Sequence, residues 1–155
     1  MDALFYLHRL RWQSVGQSGS FVRAPTEAKF HELFAPIALR NNWLRLSALM
    51  DGDSFKAVQI GYVYDRTFNS LQEGFDPSAI RGAGNALRGH VIENLIDEGI
   101  RDYDFLGGHT DHKHRWSANE RFGAEFVIAN NSFKGWLTRI IGIWPTGLYL
   151  RPYQR

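Results

Sequence analysis

Leu87, Val91, Ile92, Leu95 and Ile96 recur at helical spacing, while Arg88, Glu93, Asn94, Asp97 and Glu98 fill the opposite positions. This pattern predicts an amphipathic helix closed by Gly99, followed by a short buried strand, Tyr103-Asp104-Phe105-Leu106. A second helical stripe, Phe30, Leu33, Phe34, Ile37 and Ala38, begins after a possible cap at Thr26, with Glu27 in its first turn. Pro36 falls inside that stripe and is expected to kink or shorten the helix. Residues 13–25, rich in Gly, Ser and Gln, read as a flexible connection.

Between the helices the period changes. Leu44, Leu46, Ala48 and Met50 alternate with other residues up to a tight turn at Asp51-Gly52-Asp53. Val58, Ile60, Tyr62 and Tyr64 alternate next, before a turn at Asp65-Arg66, and residues 68–75 make a third run. Residues 122–129 form one more candidate strand. The expected fold class is α/β (α+β): a mixed, largely antiparallel sheet flanked by helices. Residues 1–130 are expected to form a single domain, and residues 131–155 an amphipathic aromatic tail. In that tail Phe133, Trp136, Leu137, Ile140, Ile141 and Trp144 share a helical face until Pro145. Such a face would pack on its own core or on a partner, a second copy included; a membrane surface is the less favoured alternative.

Composition narrows the class. A chain of 155 residues can bury a real core, and its net charge of +2 does not mark a DNA-binding protein. With no cysteine, disulfides, thiolate metal sites and a cysteine nucleophile are excluded, which fits a reducing cytoplasm. The N-terminus interrupts its apolar residues with His8, Arg9 and Arg11, so it does not read as a signal peptide.

The segment Arg81-Gly82-Ala83-Gly84-Asn85-Ala86 stands between a strand pattern and a helix pattern. A glycine loop that opens a helix presents backbone N–H groups at the positive end of the helix dipole. This points to a phosphate or pyrophosphate site, with Arg81 adding charge. His109, Asp111, His112 and His114 raise a zinc reading. They lie within one short loop without a distant further ligand, and no metal is expected.

With these residues in view, the chain resembles the GNAT acyltransferase superfamily, and within it the CelD-type and FemAB-like branch. Leu7-His8-Arg9-Leu10-Arg11-Trp12 resembles an "LHxxRW" run. Gly52 leading to Ala57 is similar to a "dGxxvA" hairpin, and Gly74-Phe75-Asp76-Pro77 to a "gfDP" strand end. The 81–86 segment fits the basic-x-x-Gly-x-(Gly/Ala) pyrophosphate pattern. Asp104-Phe105-Leu106-Gly107-Gly108, with Lys113 and Trp116, is similar to "DflxGxxxYKxxW", except that His112 replaces the aromatic. The likeness runs from about residue 5 to about residue 125. Longer members carry a preceding GNAT-like domain, so the expectation is a fragment, a minimal version or one half of an assembly.

The resemblance implies that a central strand and the following parallel strand splay apart to admit an acyl thioester. The co-substrate would be acetyl-CoA or another acyl-CoA, held by Arg81, Gly82, Ala83, Gly84, Asn85 and Ala86. A backbone N–H near Leu71 or Gln72 would stabilise the oxyanion. His109 is the expected general base, with Glu73 and Asp104 as rivals. Lys113 could hold a phosphate, a carboxylate or developing negative charge. The acceptor would be an amine or hydroxyl on a small molecule, sugar or amino acid, in exopolysaccharide or cell-envelope biosynthesis. The alternatives are an aminoacyl-tRNA-dependent FemAB-like transferase, or a non-catalytic half-domain that docks to a partner.

Overall fold

The computed structural model describes residues 1–79, 81–107 and 111–116, together with Asn119, Ser132, Phe133, Trp136 and Leu137. The candidate strand at 122–129, most of the tail, Gly108 and His109 lie outside the described residues. The chain divides into two compact units, Met1–Asp104 and Phe105–Arg155.

The first unit opens with three helices: α1 (Asp2–Gln13), α2 (Ser20–Arg23) and α3 (Pro25–Arg40). Strands β1 (Leu44–Asp51), β2 (Ser54–Tyr64) and β3 (Thr67–Phe75) follow, then helix α4 (Ala83–Asp97) and strand β4 (Asp102–Asp104). The sheet order is β1-β2-β3-β4. The first two pairings are antiparallel, while β3 and β4 run parallel through the α4 crossover. This is the mixed, largely antiparallel sheet with flanking helices that the patterning predicts.

Alternation in the strands sends side chains to two apolar layers. On one face Ala57 and Phe68 meet Ala83, Leu87, Val91 and Leu95 of α4. On the other, Val58 and Ile60 meet Leu4 and Leu7 of α1 and Phe21 of α2. Both layers depend on close approaches. At Gly74 a Cβ would lie 2.2 Å from the His8 nitrogen, so only glycine lets β3 pass against α1.

Five expectations are corrected. The stretch 13–25 is not a plain connection: α2 forms within it and buries Phe21 at 8% exposure, edge-on to Phe5 and close to His8. Helix α3 takes Ala24 as its N-cap, with Pro25 in its first turn, and Thr26 does not cap it. It also runs through Pro36 unbroken. Its buried face is His31, Ala35 and Ala38, whereas Phe30, Leu33 and Ile37 of the predicted stripe are exposed. The small residues sit closest to the sheet, and His31 Nδ1 bonds the Tyr62 hydroxyl at 3.0 Å. Finally, Arg88 is not on the solvent face of α4: it is 4% exposed, drawn inward by a carboxylate on β3.

Among the described residues, no helix is long and apolar enough to cross a membrane.

Candidate functional site: the open end of the central strand

β3 pairs with β4 over only three positions, Thr67 with Asp102, Phe68 with Tyr103 and Asn69 with Asp104. Beyond Asn69, β3 continues to Phe75 without a β4 partner, and, among the described residues, 70–75 present a strand edge on that side. Two residues past β4, Leu106 takes the left-handed region at φ 58°. On the β2 side the register skips at Leu71: Gln72 faces Ile60 and Ser70 faces Gly61. Leu71 is therefore a bulge residue, where a strand bends and re-aims its backbone. The side chains of the pair are occupied elsewhere. Leu71 joins the α1-side apolar layer, and Gln72 Nε2 donates to Glu27 Oε1 at 2.8 Å and Ser20 Oγ at 3.1 Å.

The strand end leads into the glycine loop. Asp76 accepts from the Ser78 hydroxyl at 2.6 Å and the Ser78 N–H at 2.9 Å. These bonds, with Lys56 nearby, hold its carboxyl below the usual carboxylate range. Gly82 then adopts φ 98°, a conformation that glycine takes without Cβ strain, and sets the start of α4. No side chain caps this helix. Its first turn closes with the Ala86 N–H on the Gly82 carbonyl at 2.9 Å. The amides of Ala83, Gly84 and Asn85 precede that bond and have no partner among the described residues. Gly84 is half-buried, and Gly82, Asn85, Ala86 and Arg81 are exposed. The helix start is thus uncapped, reachable and positive.

An ion-pair bridge crosses the open edge. Glu73 accepts from Arg11 of α1 at 2.8 Å and pairs with Arg88 of α4. Arg88 also donates to Asn85 Oδ1 at 2.9 Å, tying the bridge to the glycine loop. The Arg11 guanidinium lies 5.3 Å from the Phe75 ring centre, with the ring beneath it. Helices on opposite faces of the sheet are thereby fastened to one carboxylate. Beside the edge, Gln59 Nε2 donates to Ser70 Oγ at 2.8 Å and contacts the Tyr103 hydroxyl, which itself donates to Ser70 at 3.1 Å. Burial pushes the Tyr103 phenol up. Gln59 is 2% exposed, and its Oε1 has no hydrogen-bond partner.

The predicted site residues fall into three groups. Leu71, Gln72 and Glu73 lie in the second half of β3, and Arg81, Gly82, Ala83, Gly84, Asn85 and Ala86 form the loop and first turn of α4 that follow it. Asp104 is buried at 4% exposure, at the last position of the parallel pairing. In the second unit, helix α5 (Asp111–Arg115) carries Lys113, whose Nζ donates to the carbonyls of Leu106 at 2.7 Å and Gly107 at 2.9 Å. Lys113 is 5% exposed, so it fastens the turn after β4. Sequence reasoning missed Arg88, although its spacing from Leu87, Val91 and Leu95 places it on the inward stripe. It also missed the bracing role of Arg11, which already stood in the quoted N-terminal motif. The Gln59–Ser70–Tyr103 cluster had no signal in any single window, because its members come from three strands.

A mixed sheet whose central strand parts from its parallel neighbour, with a bulge and an uncapped helix start at the parting, defines an acyltransferase-type fold. The sequence profile of the acetyltransferase (GNAT) domain matches residues 1–114. The chain belongs to the GNAT acetyltransferase family. No curated protein and no solved structure matches it.

Proposed function

We propose that this GNAT-family chain moves an acyl group from acyl-CoA to an amine or hydroxyl acceptor in exopolysaccharide or cell-envelope biosynthesis. The observation that carries the reading is the uncapped first turn of α4, whose Ala83, Gly84 and Asn85 amides have no acceptor among the described residues. A pyrophosphate there would receive several N–H donors, the helix dipole and the Arg81 guanidinium together. The unpaired edge of β3 at residues 70–75 then offers main-chain groups to an extended thioester arm.

Transfer requires a deprotonated acceptor and a stabilised tetrahedral oxyanion. The bulge at Leu71 and Gln72 is assigned the oxyanion contact, through backbone N–H. His109, outside the described residues, is assigned the proton from the acceptor. Glu73, engaged by two guanidinium groups, serves as the brace of the edge. Asp104 remains its buried rival, and Lys113 holds the turn that leads to His109.

Gly84→Glu tests the placement. A Cβ at Gly84 meets only the Phe75 ring, at 3.4 Å, so the variant folds. Its carboxylate would repel the diphosphate. Acetyl-CoA should raise the melting temperature of the natural chain, and Gly84→Glu should abolish that shift. An equal shift in both proteins rejects the site.

A further inference from the structure

At the other end of β3 the chain makes a two-residue hairpin turn, Asp65-Arg66, with φ 46° and 58°. Such a turn favours Asn or Asp first and Gly second. Here an arginine occupies the glycine position, at a cost in backbone strain. The Arg66 carbonyl is pinned by two N–H groups, Arg101 at 2.9 Å and Asp102 at 3.3 Å, so the strained residue is rigidly placed. Its guanidinium has no partner among the described residues, and Arg66 is one of the residues lining an open surface cavity of 620 Å³.

The rest of that cavity is built to complement it. Leu44, Val63 and Ile100 give it apolar walls. Arg45 and Glu98 also line it but neutralise each other, with Arg45 Nη2 donating to Glu98 Oε2 at 2.6 Å and Nε to the same atom at 2.9 Å. The remaining Arg45 nitrogen, Nη1, donates to the carbonyls of Asn42 at 2.9 Å and Leu44 at 3.0 Å. It also reaches Asn42 Oδ1 at 3.4 Å. Among the charged lining residues, Arg66 is therefore left without a counter-charge beside the apolar side chains of Leu44, Val63 and Ile100.

We propose that this cavity is a second ligand site, distinct from the α4 loop, for a small carboxylate with a short apolar body. The planar guanidinium of Arg66 would take the carboxylate through two parallel N–H bonds. The walls would take the hydrocarbon. An open hollow with both apolar and polar lining can seat a small amphiphilic molecule. This inference does not rest on acyl transfer.

The test is thermal melting of the full chain with hexanoate, hexan-1-ol or acetate at equal concentrations. Hexanoate should raise the melting temperature and saturate, while the alcohol, lacking charge, and acetate, lacking the apolar body, should not. Arg66→Gly relieves the turn, so without ligand it should melt about 2–4 °C higher. The same variant should lose the hexanoate shift and keep the acetyl-CoA shift. The proposal is overturned if hexanoate gives no saturable shift, if Arg66→Gly retains it, or if that variant melts no higher than the natural chain.

Discussion

The two ends of β3 are built on opposite plans. At the Thr67 end, main-chain bonds close everything: β4 pairs, the hairpin turns in two residues, and the Arg66 carbonyl takes two amides. At the Phe75 end the ladder stops, and side chains from both helical layers do the holding through Glu73, Arg11 and Arg88. An end held by backbone has its main-chain donors and acceptors spent on pairing, so a ligand there must be met by side chains. An end held by side chains keeps main-chain donors and acceptors available. The acyl-CoA site proposed above lies where regular pairing stops.

Changes at the open end should weigh most. Gly74→Ala drives a Cβ into the α1 backbone, where nothing flexible can yield. It should cost about 3 kcal/mol, read as a large fall in the denaturant midpoint; a small fall would mean that α1 is not seated on β3. Arg88→Met comes next. It leaves Glu73 with Arg11 alone and removes the tie to Asn85. Because the Glu73 side chain is 20% exposed, the expected loss is about 2 kcal/mol, below that of a fully buried broken pair. An unchanged midpoint would show that Arg11 suffices.

The smallest effect is set by pH. His8, 1% exposed on α1, and His31, 2% exposed on α3, are both held below the ordinary imidazole value, first by burial. Unfolding restores that value, near 6.5, so below this pH the unfolded chain binds more protons than the native one. Stability should be flat above pH 6.5 and fall as pH drops toward the lowered native values. His31→Gln should flatten part of that slope, and a slope that is the same without His31 refutes its share. The closed end answers with the opposite sign, since Arg66→Gly should stabilise it.

Most of the fold was legible because strands and α4 announce themselves within a few residues. Alternation at Val58, Ile60 and Tyr62, the glycine at 82 and the stripe through Leu87, Val91 and Leu95 all appear as the sequence predicts. The exceptions share a cause. On α3 two faces compete, and periodicity reports spacing without saying which face meets the sheet. The winning face carries Ala35 and Ala38, small enough for close packing, while the larger apolar residues stay outside. Arg88 was misplaced because its partner stands on another element, beyond any local window. The loop half of the site was readable from Gly82 and Gly84; the bridge across the edge was readable only in three dimensions.

The pairing of β1 with β2 slips between Leu49 and Met50, where the extra residue, Lys56, stands on β2. β1 is the outer strand of the sheet among the described residues, and an outer strand is a template on which foreign chains can add. An extra residue in its partner raises the local twist near the charged Asp51, and a twisted, charged edge suits the flat stacking of cross-β growth poorly.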